Sequence, residues 1–163
     1  MKAYELTQKI LAIGPTYQVR AVGSDAVLYT IRGKVLTLTP KLTLVQGDDG
    51  AEVAKLTANF TKTKFNVEGA HSATLSFPLL ALKQRMALSV GGQEYTAEGG
   101  FLAGAFRCAD ASGNTVFEIL KELSLRDKFR VQIHGDLPEI VILLAAVAID
   151  QRYFQDSYAD VTP

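Results

Sequence analysis

The side chains that most often perform catalysis are few in this chain and lie far apart. The sequence has two histidines, His71 and His134, and one cysteine, Cys108. Neither histidine has a partner at the spacing that would complete a metal site or a proton-transfer pair. Cys108 alternates with Phe106 across a polar residue, which predicts a buried and unreactive thiol. The sequence therefore predicts no catalytic residue and no metal site.

Two glycines have the spacing that opens a phosphate-binding loop. Gly99 and Gly104 are followed by Ala105 and Phe106, where such a loop needs Lys and then Ser or Thr. A Gly-x-Ser-x-Gly nucleophile motif is also missing from the sequence. We interpret the pair Gly99–Gly100 as a bend or as a close approach between strand backbones. No cofactor is therefore expected.

Three acidic residues flank an apolar segment, residues 140–149. Asp136 precedes Glu139 by three positions, with Pro138 between them, which is the pattern of a helix N-cap followed by a capping box. Asp150 directly follows the apolar segment, and we expect its carboxylate to accept hydrogen bonds from backbone donors at the rim of the fold. All three are predicted to be structural helix caps.

Basic residues provide the only indication of a binding surface. The chain has 17 Lys and Arg residues and 17 Asp and Glu residues, and this zero net charge argues against a nucleic-acid-binding domain. Lys62 with Lys64, and Lys83 with Arg85, place two bases on one strand face or beside a turn. Such bases could contact anionic phospholipid headgroups, at about 1 kcal/mol per base. The alternative is a solvated rim that blocks aggregation.

Short alternating segments separated by turn residues predict about twelve β-strands. The expected strands are residues 4–9, 16–21, 26–32, 41–45, 51–58, 64–68, 72–77, 86–90, 93–98, 103–109, 114–121 and 128–133. The pair Gly91–Gly92 between the eighth and ninth strands suits a two-residue hairpin turn. Regular spacing of this kind is typical of a sandwich or a barrel.

The apolar segment near the C-terminus predicts a helix at about residues 137–152 that is apolar on every face. Such a helix must be buried on all sides, and in a chain of strands only a sheet that wraps around it can do this. We therefore predict a mainly β protein, a closed barrel of about twelve strands with a central hydrophobic α-helix. Ten helical residues cover about 15 Å, half of a hydrocarbon core of about 30 Å, so no transmembrane span is expected. Residues 1–163 are predicted to form one domain, with a tail at 155–163.

A weak internal repeat accompanies the strand pattern. Leu42-x-Leu44 followed by Gly50 resembles Phe106-x-Cys108 followed by Gly113. The pattern fits repeated use of the same hairpin, but it fits equally the general likeness of all antiparallel strands joined by short turns.

Four stretches together resemble the LURP-one-related family and, more distantly, the phospholipid scramblase and tubby C-terminal domains. They are Tyr4-x-Leu6-x-Gln8-Lys9 with Tyr29-Thr30-Ile31-Arg32-Gly33-Lys34, then Asp49-Gly50-x-Glu52-Val53-Ala54, then Gly99-Gly100-Phe101, and finally Ala148-Ile149-Asp150-Gln151-Arg152-Tyr153-Phe154. Together the four stretches span essentially the whole chain. The resemblance implies a twelve-stranded barrel around a C-terminal helix, in a short form similar to the bacterial members.

The chain departs from animal scramblases in the features that the resemblance ties to membranes. It has five prolines and one cysteine in total, whereas those scramblases carry a Pro-rich region and a Cys-rich acylation motif. The stretch at 121–130, which corresponds to their calcium loop, is rich in basic residues, whereas Ca²⁺ prefers six to eight oxygen ligands. The resemblance therefore implies neither a calcium site nor an acyl anchor.

Three functions remain open at this point. The first is a non-enzymatic binding module, which contacts anionic phospholipid through Lys62, Lys64, Lys83 and Arg85 or binds a protein partner; tubby domains bind phosphoinositides. The second is a scramblase-like role in membranes. The third is a carrier or an enzyme that uses a cavity in the barrel, which requires an open lumen. No secretory signal opens the sequence, so we expect a cytoplasmic protein, peripheral at the membrane if it binds phospholipid. The sequence does not indicate an oligomeric state.

Overall fold

The computed structural model describes residues 2–11, 14–34, 39–80, 83–100, 104–121 and 128–154. The predicted tail at 155–163, Phe101 of the family motif and residues 122–127 of the basic stretch lie outside these ranges.

The described residues form twelve antiparallel strands that close into a barrel. The strands are β1 Lys2–Leu11, β2 Gly14–Ala21, β3 Tyr29–Gly33, β4 Lys41–Gln46, β5 Glu52–Ala58, β6 Lys64–Gly69, β7 Ala73–Ser76, β8 Gln84–Val90, β9 Gln93–Gly100, β10 Ala105–Ala109, β11 Thr115–Lys121 and β12 Lys128–Ile133. Each strand pairs with its neighbours in the chain, and β1 pairs with β12 to close the barrel. The predicted fold class is therefore confirmed.

Side-chain alternation along the strands produces the inner face of the barrel. In β6, Phe65 and Val67 are buried while Lys64 and Asn66 are exposed, which is the period of two that a strand with one buried face requires. The predicted hairpin joins β8 to β9, where Val90 pairs with Gln93. Gly91 and Gly92 have φ angles of 58° and 80° there, and this left-handed backbone at both positions matches a type I′ turn.

A single α-helix in the described chain, α1 Glu139–Ile149, fills the lumen of the barrel. Its residues from Val141 to Ile149 are all 0% exposed, and they form one core cluster with the inward side chains of the strands. The prediction of a helix sheathed by the sheet is therefore confirmed. The helix begins two residues later than predicted, and Asp150–Phe154 continue as a π-helical segment.

The predicted capping box at the start of α1 is wrong. The N-cap residue is Pro138, and no side chain caps the first turn. Leu137 precedes that proline and is therefore biased away from helical geometry, so the helix cannot begin as early as an Asp136 cap would require. Glu139 is the first helical residue rather than the third, and it carries the only acidic group of that turn.

The two hairpins of the internal repeat share an irregularity. The register shifts between Leu44 and Val45 where β4 pairs with β5, and between Cys108 and Ala109 where β10 pairs with β11. Both shifts fall at the same position of the repeated pattern. The bulges increase the local bend of the strands, which helps a sheet to curl into a barrel.

Gly99 lies where two strand backbones approach closely, as the sequence indicated. A Cβ atom at this position would lie 2.2 Å from the backbone oxygen of Ala105 and 2.7 Å from the ring of Phe106. Neither neighbour can move without displacing β10, because one is backbone and the other is a buried core ring.

Gly99→Ala is therefore expected to lower the free energy of unfolding by about 1–3 kcal/mol, the usual cost of inserting a methyl group into a tightly packed site. Urea titration would measure this change. Gly135→Ala is the control, because the nearest atom that a Cβ there would meet is a Val116 methyl group at 3.3 Å. Equal stability of the two variants would contradict the close approach.

Candidate functional site

We call the end of the barrel at which α1 ends the exit end, and the end at which it begins the entrance end. At the exit end β5, β7 and β11 finish, and β6, β8 and β12 begin. The hairpin connections there bring together residues that are far apart in the sequence. This end contains both the polar network around Asp150 and the predicted basic residues.

A buried polar network joins the end of α1 to the barrel wall. The Asp150 carboxylate accepts hydrogen bonds from the Tyr17 hydroxyl and from Lys121 Nζ, both at 2.8 Å. Gln151 Nε2 donates to the Tyr17 hydroxyl, also at 2.8 Å. The side chains of Lys121 and Asp150 are each 1% exposed. The network therefore fixes the end of the helix against both β2 and β11.

The charges in this network compensate one another. The ammonium group of Lys121 lies 5.8 Å from the centroid of the Phe129 ring, which adds a cation–π attraction to the ion pair. Burial raises the pKa of Tyr17 well above its ordinary value, and the neighbouring carboxylate of Asp150 raises it further. Tyr17 therefore acts as a hydrogen-bond donor throughout the neutral range.

The structure gives Asp150 side-chain partners that the sequence did not indicate. The residue stands at the C-cap position of α1, and its carboxylate binds the side-chain donors Tyr17 and Lys121. Sequence reasoning missed Tyr17, Lys121 and Gln151. A signal for Lys121 was present, because it continues the buried alternation of Phe117 and Ile119 along β11 and so had to point inward.

The π-helical segment after Asp150 is attached to β8 and to the β7–β8 connection. The Tyr153 hydroxyl donates to the backbone oxygen of Arg85 at 2.7 Å and accepts from its backbone N–H at 3.1 Å. Its ring lies 5.5 Å from Phe77 and 5.6 Å from Phe106, centroid to centroid. Arg152 Nη2 donates to the backbone oxygens of Pro78 and Leu79.

All four basic residues singled out in the sequence lie at the exit end. Lys62 is half-buried in the β5–β6 turn, with its Nζ atom 3.5 Å from the backbone oxygen of Gln151. Lys64 and Lys83 are exposed at the first residue of β6 and just before β8. Arg85 lies on the outer face of β8, where its Nε atom is 3.4 Å from Glu98 Oε1. The structure thus brings both pairs together on adjacent hairpins.

The entrance end carries a second tyrosine–carboxylate contact. Burial raises the pKa of Tyr4, and a hydrogen bond with Glu139 raises it further. Burial also raises the pKa of Tyr29, with a smaller effect of the same carboxylate. The Glu139 carboxylate thus lies beside Tyr4 of β1 and near Tyr29 of β3.

A cavity of about 550 Å³ opens at the entrance end. It lies between the β8–β9 and β10–β11 hairpins and the segment that leads into α1, and Tyr95, Asp110, His134 and Asp136 are among its lining residues. Backbone N–H groups of Asn114 and Ser112 donate to Asp110 and hold the pKa of that carboxyl low. Asp136 also lines this cavity and does not cap α1.

Comparison with known proteins identifies the family. The sequence pattern of the LURP-one-related family matches residues 2–150. The chain belongs to the LURP-one-related family. A search of curated proteins gave no match.

The fold of this LURP-one-related protein is similar to that of a solved structure. An X-ray structure of a protein from Arabidopsis thaliana superposes with a TM-score of 0.61 at 14% sequence identity, and the match covers 91% of this chain and 90% of the other. At this identity the likeness concerns the fold, and it assigns no residue of the site.

Three further features of this LURP-one-related barrel concern metal binding, thiol reactivity and membrane crossing. Within the part of the chain that the structure describes, no three His, Cys, Asp or Glu side chains lie close enough to hold a metal ion. Cys108 is buried, and burial raises the pKa of its thiol to about 12. Over the same described ranges, no helix is long and apolar enough to cross a membrane.

The Asp150–Lys121 pair generates a test of the network. Asp150→Asn or Lys121→Met leaves one buried charge uncompensated, and each is expected to cost about 3–5 kcal/mol of stability. The double variant Lys121→Met/Asp150→Asn removes both charges and should be more stable than either single variant. Urea denaturation of the four proteins would measure the coupling.

The exposed pair Lys55–Glu52, at 3.4 Å, is the control for that cycle. Its removal should cost at most about 1 kcal/mol, because solvent screens exposed ion pairs. Additive costs in the Lys121–Asp150 cycle would show that the two charges do not depend on each other.

Stability should fall in alkali because of Tyr17. Its pKa is raised in the folded state above an unfolded value of about 10. The stabilisation is therefore complete below about pH 10 and is lost as the pH rises through the folded pKa. Urea midpoints measured from pH 9 to pH 12 should decline less steeply in Tyr17→Phe than in the wild type. Parallel declines would contradict this role of the hydroxyl group.

Proposed function

We propose that this LURP-one-related protein is a non-enzymatic binding module whose exit end contacts anionic phospholipid headgroups. The observation that supports the proposal is the convergence of Lys62, Lys64, Lys83 and Arg85 on two adjacent hairpins of one barrel end. On this proposal residues 1–163 act as one domain, located in the cytoplasm and peripheral at the membrane.

The charges around these hairpins favour an anionic partner. No Asp or Glu occurs at residues 53–67 or at residues 69–93, whereas these stretches carry the four bases of the exit end and Lys55 of the outer wall. Among the described residues, no ion pair involves Lys64 or Lys83. Their ammonium groups can therefore interact with phosphates at about 1 kcal/mol each near an anionic surface.

A carrier or an enzyme with a ligand in the lumen receives less support. The residues of α1 from Val141 to Ile149 occupy the lumen and are fully buried. The cavity of about 550 Å³ is at the entrance end, between surface hairpins. The exit end is therefore the better candidate for the functional surface.

Vesicle flotation would test headgroup binding. The wild type should float with vesicles of phosphatidylcholine containing phosphatidylserine or phosphoinositide, and not with phosphatidylcholine alone. Lys64→Glu/Lys83→Glu should weaken this binding by at least about 2 kcal/mol at low salt, since two bases are lost and reversed.

The matched control is Lys2→Glu/Lys55→Glu, which changes the net charge equally. Lys2 lies at the entrance end, and Lys55 lies on the outer wall of β5. This variant should bind the vesicles nearly as well as the wild type. Equal loss in both variants would indicate non-specific charge attraction. If the wild type shows no affinity for vesicles but binds another protein, a protein partner would replace the lipid.

A further inference from the structure

Three large apolar side chains are unusually exposed at the exit end. Phe60 is 74% exposed, Leu79 is 65% exposed and Leu80 is 92% exposed. Single exposed apolar residues are ordinary on protein surfaces, but these three share two neighbouring connections, β5–β6 and β7–β8. A group of this kind beside charged residues marks an interaction surface.

Hydrogen bonds hold these side chains in an exposed position. Asn59 Oδ1 accepts from the backbone N–H groups of Thr63 and Lys64 at 2.9 and 3.1 Å, which closes the turn that carries Phe60. The backbone N–H of Phe77 donates to the backbone oxygen of Thr63 at 2.7 Å and so joins the β7–β8 connection to the β5–β6 connection.

The second connection is fixed from the helix side. Arg152 Nη2 donates to the backbone oxygen of Leu79 at 3.3 Å. The side chains of Phe60, Leu79 and Leu80, here called the apolar tips, are therefore supported by the π-helical segment. Tyr153 and the buried network attach this same segment to the barrel.

The charges around the apolar tips indicate which kind of surface they bind. Lys62, Lys64 and Lys83 flank Phe60, Leu79 and Leu80 in the chain, and no acidic residue lies within these connections. An anionic bilayer offers the complementary arrangement, because its phosphates overlie an apolar region. Apolar faces that bind membranes in this way lie about 5–10 Å deep, at the boundary of headgroups and acyl chains.

We infer that Phe60, Leu79 and Leu80 insert below the headgroups of an anionic bilayer and orient the barrel with its exit end toward the membrane. The inference rests on the proposed function, since the bases bring the tips to the surface. Insertion adds an apolar contribution to membrane binding that salt does not screen. Ionic contacts, in contrast, weaken as the Debye length falls to about 3 Å at 1 M salt.

Tryptophan fluorescence tests the insertion directly, because the chain contains no tryptophan. Phe60→Trp and Leu80→Trp each place one probe at an apolar tip, and Leu28→Trp places a control probe at the entrance end, where Leu28 is 39% exposed. Vesicles that contain phosphatidylserine and phosphatidylcholine brominated near the headgroup end of the acyl chain should quench the first two probes and leave the third unchanged.

A second measurement does not depend on the probes. Phe60→Ser/Leu80→Ser should lower the partition coefficient for phosphatidylserine vesicles by at least about tenfold, because two apolar side chains no longer leave water. Circular dichroism should remain that of the wild type, since both side chains are exposed. The residual vesicle binding of the wild type in 0.5 M NaCl should be lost in this variant.

The outcomes separate the inference from the proposed function. Binding to anionic vesicles with unquenched probes and an unaffected serine variant would overturn insertion and leave headgroup binding in place. No preference of the wild type for anionic vesicles would overturn the proposed function. Equal quenching of the Leu28→Trp control would overturn the orientation.

Discussion

A helix without a polar face cannot persist in water, and the rest of this structure follows from that constraint. Nine consecutive residues, Val141 to Ile149, are fully buried, and a twelve-stranded sheet closes around them. The backbone groups in the middle of the helix are satisfied internally, so its apolar body needs only apolar contacts. Its two ends are different, because there the chain must pass from the lumen to the surface. Tyrosine–carboxylate contacts are found at both passages, with Glu139 at one end and Asp150 at the other.

Most of the fold could be predicted from periodicity, because each strand has one face in the core and one in solvent. The alternation located all twelve strands, and the helix that is apolar on every face required a sheet around it. The start of the helix was predicted wrongly because the spacing of Asp136 and Glu139 imitates a cap. The conformational bias imposed by Pro138 on the preceding residue has more influence than that spacing. Such local backbone constraints are visible in the sequence, but their priority over a competing motif is not.

The candidate site was predictable only in part. The basic residues could be named from their types, but their convergence depends on the strand order, which places the β5–β6 and β7–β8 connections side by side. The buried position of Lys121 could have been predicted, because every second side chain is buried along this part of β11. Its partner Asp150 lies on a different element, and no short-range pattern links the two. Long-range pairs of this kind require the three-dimensional structure.

The pairing of β1 with β12 has a consequence for the synthesis of the chain. Every other strand meets its partners among its immediate neighbours in the sequence, so eleven strands can assemble in order as they emerge from the ribosome. Until β12 follows, β1 has one unpaired edge, and the inward side chains of the sheet have no helix to cover them. Both needs are met only when β12 and α1 have been made, and α1 comes directly after β12. The nascent barrel must therefore remain an open, partly apolar sheet until α1 has emerged, a state in which unpaired edges favour aggregation.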